Sequence, residues 1–459
     1  MLGANTLSSR GAALIYVLGV MAVLGILMSL VWRTIRQNDA LVAMDRWDVQ
    51  ARLLATSGLD YALSKIGKGS KQDLSYATDH LVYQLEDPDL AFALVVHTYG
   101  LFARAQSTGK TRLPSPGRSK NKFALLGQTL DLAGLPAIGL FNHEGNLVLA
   151  GQANVTGKVL LWKGDVRKSN DFKVRWTGSS GHQGAVEDSA SKLWEKIRPD
   201  FSRAEAWQEK QETCLASHSF EGDDDYTLGT QHDLPYVDSA IIVDTILTEC
   251  RIMGSSVRVS EGAHLRHCKI LAQNIRIERN AELEDVLVYA SHNLVLQGET
   301  HLNGGQFQAR DSLTITLSSP LENAPVFLNY GRWYHRGEKD SAYIGALILN
   351  QVQGEGIFLS AIVDKPGNDS KERLIVQAKT DLTGLLYTGG LARMEGTLHG
   401  TLLCENLNFE FQGTIYRGHL QNAQLTGFEA SKFFFAPLLF PGWPPQSISV
   451  NGNHKADSL

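Results

Sequence analysis

Between Asp238 and Ile315 apolar and polar positions recur with a period of 18 to 19 residues, as in Val257 to Ile275 and then Ile275 to Leu294. When Ser255–Ala272, Gln273–Ala290 and Ser291–Arg310 are aligned, Val257, Ile275, Leu294 and Leu313 form one column, and Val259, Ile277, Leu296 and Ile315 another. Leu265, Leu283 and Leu302 make a third, Ile270, Val288 and Phe307 a fourth, and Ala272, Ala290 and Ala309 a fifth. Asp238–Gly254 fits as a looser earlier copy through Ile241, Leu247 and Ile252. Within each copy apolar and polar residues alternate over short runs, which predicts several short strands per copy.

A unit this short cannot bury its own apolar face, so the copies must stack. The expected fold class is mainly β: a single-stranded parallel β-helix, or solenoid, with a long N-terminal helix and a helical insertion. Ser256, Asn274, Asn293 and Ser312 make a polar column at the expected turn, where such side chains bond the local backbone or each other. Asn146–Gly157 shares Asn, Leu, Val, Leu, Gly and the final Gly with Asn293–Gly304 at the same offsets, so a coil belongs there too. Gly384 and Gly400 open two further segments spaced like coils.

The N-terminal pattern differs. Ala12–Trp32 is an uncharged apolar run long enough, as a helix, to cross a hydrocarbon core of about 30 Å. Apolar residues then continue at helical spacing from Ile35 to Ile66, and Gly67–Gly69 ends the run. The leader Arg10-Gly11-Ala12-Ala13-Leu14-Ile15, the apolar run and the small-residue stretch Ala51–Ala62 (ARLLATSGLDYA) together resemble the N-terminal helix of type IV pilin-like proteins, in the minor-pilin and pseudopilin branch. The resemblance covers residues 10–66. It implies cleavage by a prepilin peptidase after Gly11 to leave Ala12 first, other pilin-like subunits as partners through the helix, and export of the remainder. Tyr16 stands where major pilins carry glutamate, which points away from a main filament subunit. Arginine counting favours the opposite sidedness, since Arg33, Arg36, Arg46 and Arg52 outnumber Arg10.

The expected organisation is a leader at 1–11, the transmembrane and pilin-like helix at 12–66, and an α/β connecting region with a linker at 67–134. First coils follow at 135–162, then an insertion at 163–236 projecting from one coil, the main β-helix at 237–432, and a C-terminal cap and tail at 433–459. Ser189–Glu212 reads as the insertion's helix, with Trp194, Ile197, Phe201 and Trp207 apolar, and Glu221–Asp225 as an acidic turn. Prolines 437, 441, 444 and 445 cannot continue a strand ladder, hence the cap.

A net charge of −5 with 20% charged residues excludes a strongly basic nucleic-acid binder. Of four cysteines, Cys250 and Cys268 fall in one inward column about 4.8 Å apart, a spacing that permits a disulfide in an oxidising compartment; the alternative is two thiols packed as small hydrophobes. His264, Glu282 and His301 would lie on neighbouring coils as a solvated polar ladder, with a metal column as the weaker candidate. Glu282, Glu284 and Asp285 are the only carboxylates placed for carbohydrate cleavage, and no second cluster matches them. No phosphate-binding loop, nucleophile elbow or zinc-protease motif occurs. The expectation is therefore a non-enzymatic component of a pilus or type II-like secretion assembly. It would cross the inner membrane once, with its bulk periplasmic or extracellular and with no cofactor. The alternatives are a surface-tethered carbohydrate-binding protein or β-helix lyase or hydrolase, and a bactofilin-like membrane-associated scaffold.

Overall fold

Short alternating runs broken by turn residues become strands that pair with the same run one copy later. The computed structural model describes residues 7–67, 92–111, 119–187, 198–217, 232–332, 334–336, 340–342, 345–363, 372–428, 433–437, 439–440 and 445–449. The chain is mainly β, 54% strand and 21% helix, with one long N-terminal apolar helix and one other α-helix among the described residues.

The repeat forms a parallel ladder in three columns. Cys250–Val259 pairs with Lys269–Ile277, which pairs with Leu287–Gly298, in the register set by the spacing: Val257 opposite Ile275 opposite Leu294, and Ile252 opposite Ile270 opposite Val288. The looser first copy also joins in register, Ile241 opposite Val257 and Leu247 opposite Leu265. The aligned apolar side chains all enter one core. Its aromatic members stack along the ladder, Phe307 on Phe327 at 5.2 Å and Phe327 on Phe358 at 5.0 Å, a geometry that adds to the area each buries. Gly384 lies opposite Gly400, as the coil spacing predicts. The polar column also aligns, with Asn293 Nδ2 donating to Asn274 Oδ1 at 3.1 Å, although these residues lie within strands rather than at a turn.

The order of the stack departs from the expectation. Ile138–Glu144 does not precede the copy at residue 232. It pairs with Thr397–Cys404 at the other end, Ile138 opposite Leu402, and Asn154–Thr156 pairs with Gln424–Thr426. Residues 163–187 do not project as the start of an insertion: Val166–Lys168, His182–Gln183 and Val186–Glu187 extend the ladder beyond 138–156. Their short strands carry too few large apolar residues to be recognised alone; the neighbouring copy supplies the other half of their core.

The described part of the C-terminal aromatic stretch joins a second sheet rather than stacking on the end of the ladder. The last copy is covered by 138–156 instead, and Phe433–Ala436 and Pro445–Ser449 pair antiparallel with β3 (Ser119–Asp131). With β1 (Phe92–Tyr99) and β2 (Phe102–Lys110), these make a five-stranded antiparallel sheet. The expected connecting region and linker at 67–134 is thus strand from Ser119 to Asp131; residues 112–118, Trp194, Ile197 and the acidic run 221–225 lie outside the described residues.

The small sheet sits between two partners. One face presents Phe92, Leu94, Val96, Ala105, Ala124 and Leu126 to Leu59 and Ala62 of α1 (Leu7–Gly67). The other contributes Leu101, Phe102, Phe434 and Ala436 to a second core with Leu328, Leu359, Tyr387 and Leu403 on the ladder's outer face. Another part of the outer face is covered by α2 (Ser202–Ser217), whose Trp207, Cys214 and Leu215 pack on Met253, Leu271 and Tyr289. Phe201, expected to project, stacks on Tyr330 at 5.5 Å.

Candidate functional site

Two features bear on function: the N-terminal helix and the exposed polar columns. Along α1 the exposed large apolar side chains from Ile15 to Leu53 keep 45–78% of their surface, whereas Ala51, Ala55, Gly58, Leu59 and Ala62 are buried. The buried set follows helical spacing and its members are mostly small, so the helix backbone comes close to β2. Closest is Gly109, where an added Cβ would stand 2.0 Å from the Ala51 carbonyl oxygen. Two polar contacts fasten the same segment: Lys120 pairs with Asp48 at 3.1 Å, and Lys122 Nζ donates to Thr56 Oγ1 at 2.7 Å. On the exposed half, the Thr34 hydroxyl donates back to the Leu30 carbonyl at 2.9 Å, so it does not depend on water for a partner. The helix is long and apolar enough to span a membrane. Gly11 and Ala12 lie within its helical backbone.

The polar columns fall in the expected registers, Glu282 opposite both His264 and His301 and Glu284 opposite both Arg266 and Asn303. Their chemistry is pairwise. Glu282 accepts from His264 Nδ1 at 2.9 Å, Glu284 pairs with Arg266 Nε at 2.5 Å, and Asp285 lies 3.8 Å from His267. Among the described residues no three His, Cys, Asp or Glu side chains converge to hold a metal ion, so His264, Glu282 and His301 form a column without forming a cage. The reason is geometric: residues one copy apart on an outer face stand side by side and point in parallel. The same argument bears on Glu282, Glu284 and Asp285. Each faces a base on the preceding copy, and exposed pairs of this kind contribute about 0–1 kcal/mol. A glycoside-cleaving pair needs two carboxyls facing each other across a substrate.

Cys250 and Cys268 meet inside the core with their sulfurs 2.7 Å apart. Asn154, the sequon asparagine at 154–156, has its amide engaged on both sides, donating to Gln424 Oε1 at 3.0 Å and accepting from Gly181 N at 2.8 Å.

Several contacts were beyond the reach of sequence. Glu212 of α2 accepts from Tyr289 Oη at 3.0 Å and from Arg310. His292 pairs with the buried Asp311 at 2.7 Å. Gly109, the close approach on which the helix docks, gave no signal in a strand-like run. Among protein families, curated proteins and solved structures, none matches this chain.

Proposed function

We propose that the protein is a non-catalytic, single-pass membrane component of a type IV pilus or type II-like secretion assembly, minor-pilin-like or pseudopilin-like, that presents a β-solenoid outside the cytoplasm. The observation that carries this reading is the division of α1. Its second half is anchored to the antiparallel sheet through Ala51, Ala55, Gly58, Leu59 and Ala62, while its first half leaves its large apolar side chains 45–78% exposed. Each large apolar side chain left in water forgoes about 1.5–3 kcal/mol. A row of them requires lipid or neighbouring helices, which are the partners the leader and small-residue motif imply. The ladder, read as a solenoid, then offers a rigid outer face carrying paired charges on neighbouring copies.

The test is the mature N-terminus of protein purified from its native membranes, by intact mass and N-terminal sequencing. A start at Ala12 supports prepilin-type processing and assembly. A start at Met1 overturns that part and leaves a plain anchor.

A further inference from the structure

We propose that Cys250 and Cys268 are a thiol pair built to close as a disulfide across two neighbouring copies of the ladder. The two residues precede the in-register pair Arg251 and Lys269 by one step, so their Cα atoms stand one parallel-strand spacing apart, about 4.8 Å. That falls inside the window of roughly 4.4–6.8 Å that a disulfide spans. Both side chains turn into the core at 1% and 0% exposure, and their sulfurs stand 2.7 Å apart. The Cys268 sulfur also lies 3.3 Å from the Arg266 carbonyl oxygen, which fixes its direction.

Cys404 provides the contrast. It is buried in the same core, but Leu140 stands opposite it rather than a second sulfur, and burial pushes its thiol up. At Cys268 the hydrogen bond with Cys250 outweighs burial and lowers the thiol. One buried cysteine is therefore held inert while the pair is poised.

The oxidant is a small-molecule disulfide such as oxidised glutathione, acting by thiol–disulfide exchange. One protein thiolate attacks the small disulfide and releases one reduced glutathione. The second protein thiolate then displaces the other, so two S–H bonds and one S–S bond become one S–S bond and two thiols. Because the sulfurs are sealed in the core, exchange takes place while the chain is folding and before the copies stack.

The experiment refolds the full chain in detergent with either a reduced-to-oxidised glutathione mixture or reduced glutathione alone. The expected result is loss of two hydrogens by intact mass in the mixture only, one crosslinked peptide joining Cys250 to Cys268, and a melting midpoint several degrees above that of the reduced protein. Cys214→Ala with Cys404→Ala must still lose two hydrogens, and Cys250→Ala with Cys268→Ala must lose none. Four alkylatable thiols after oxidative refolding, or glutathione retained on Cys250 or Cys268, overturns the proposal. The reaction is run on purified protein, so its outcome is independent of the side of the membrane on which the ladder resides.

Discussion

The side chain of Gln306 clasps the turn before Leu101: its Oε1 accepts from the Leu101 amide at 2.7 Å, and its Nε2 donates to the Tyr99 carbonyl at 3.0 Å. Gln306 belongs to the ladder and is 3% exposed; Leu101 follows β1 of the small sheet. Between them Gly100 has φ +61°, and a Cβ there would stand 2.3 Å from Gln306 Oε1. One buried amide therefore joins the sheet that carries the N-terminal helix to the ladder. Gln306→Leu removes a buried partner from two backbone groups, at a cost of about 1–3 kcal/mol each. The expected outcome is a loss of about 2–6 kcal/mol in denaturant unfolding, with faster hydrogen exchange at Tyr99–Leu101. Unchanged exchange there would show that the clasp does not hold the turn.

A second prediction concerns Gly109. The neighbours its Cβ would meet are backbone atoms of α1, so no rotamer change relieves the overlap. Gly109→Val should push α1 off β2, costing about 1–3 kcal/mol and exposing Ala51–Ala62 to limited proteolysis. A proteolysis pattern identical to that of the parent would contradict the close approach.

The third lies at a corner of the repeat. Glu249, His267, Asp285 and Asn323 take φ of 52°, 52°, 48° and 52°, and Gly304 shares the column at 67°. Left-handed backbone costs a residue with a Cβ roughly 1–2 kcal/mol, and a β-branched one most. His267→Val is expected to fall at least about 1 kcal/mol below His267→Gly in stability, measured as paired denaturant midpoints. Equal midpoints would mean that the corner relaxes.

Glu372 supplies a pH dependence. Burial raises its carboxyl above the ordinary range; Arg393 opposes this, and Glu410 and Glu395 add to it. The folded state therefore holds this proton more tightly than the unfolded chain does. Its contribution is fully present below the unfolded value, about 4.3, and is lost as pH rises through the folded value. Glu372→Gln should flatten the part of the stability profile that declines above about pH 4. A wild-type profile already flat across this window would remove the effect.

What the sequence made legible was the part without interruptions. Val257 to Ile315 advances in nearly constant steps, so the columns align by eye. Beyond it Phe327 pairs with Phe358, Phe358 with Leu386 and Leu386 with Leu402, steps of 31, 28 and 16 residues. A hairpin between Tyr334 and Ala342 lies inside one of these steps and erases the period without disturbing the register. The small-residue stretch in α1 was visible, but its counterpart at Gly109 was not, because a glycine in a strand is ambiguous without its neighbour. The exposed histidines and carboxylates were correctly placed in columns. Whether they converge depends on where side chains point, which periodicity does not report.

The pairing of Ile138 with Leu402 sets the order of birth against the order of assembly. Residues 138–187 leave the ribosome early, yet the tier they rest on, 397–426, is among the last to be made. The strands of 138–187 gain this support only once residues 397–426 have been made, and a chain cut before residue 397 never receives it. The tier at 397–426 thus acts as a checkpoint, passed only by molecules whose chain extends through residue 426.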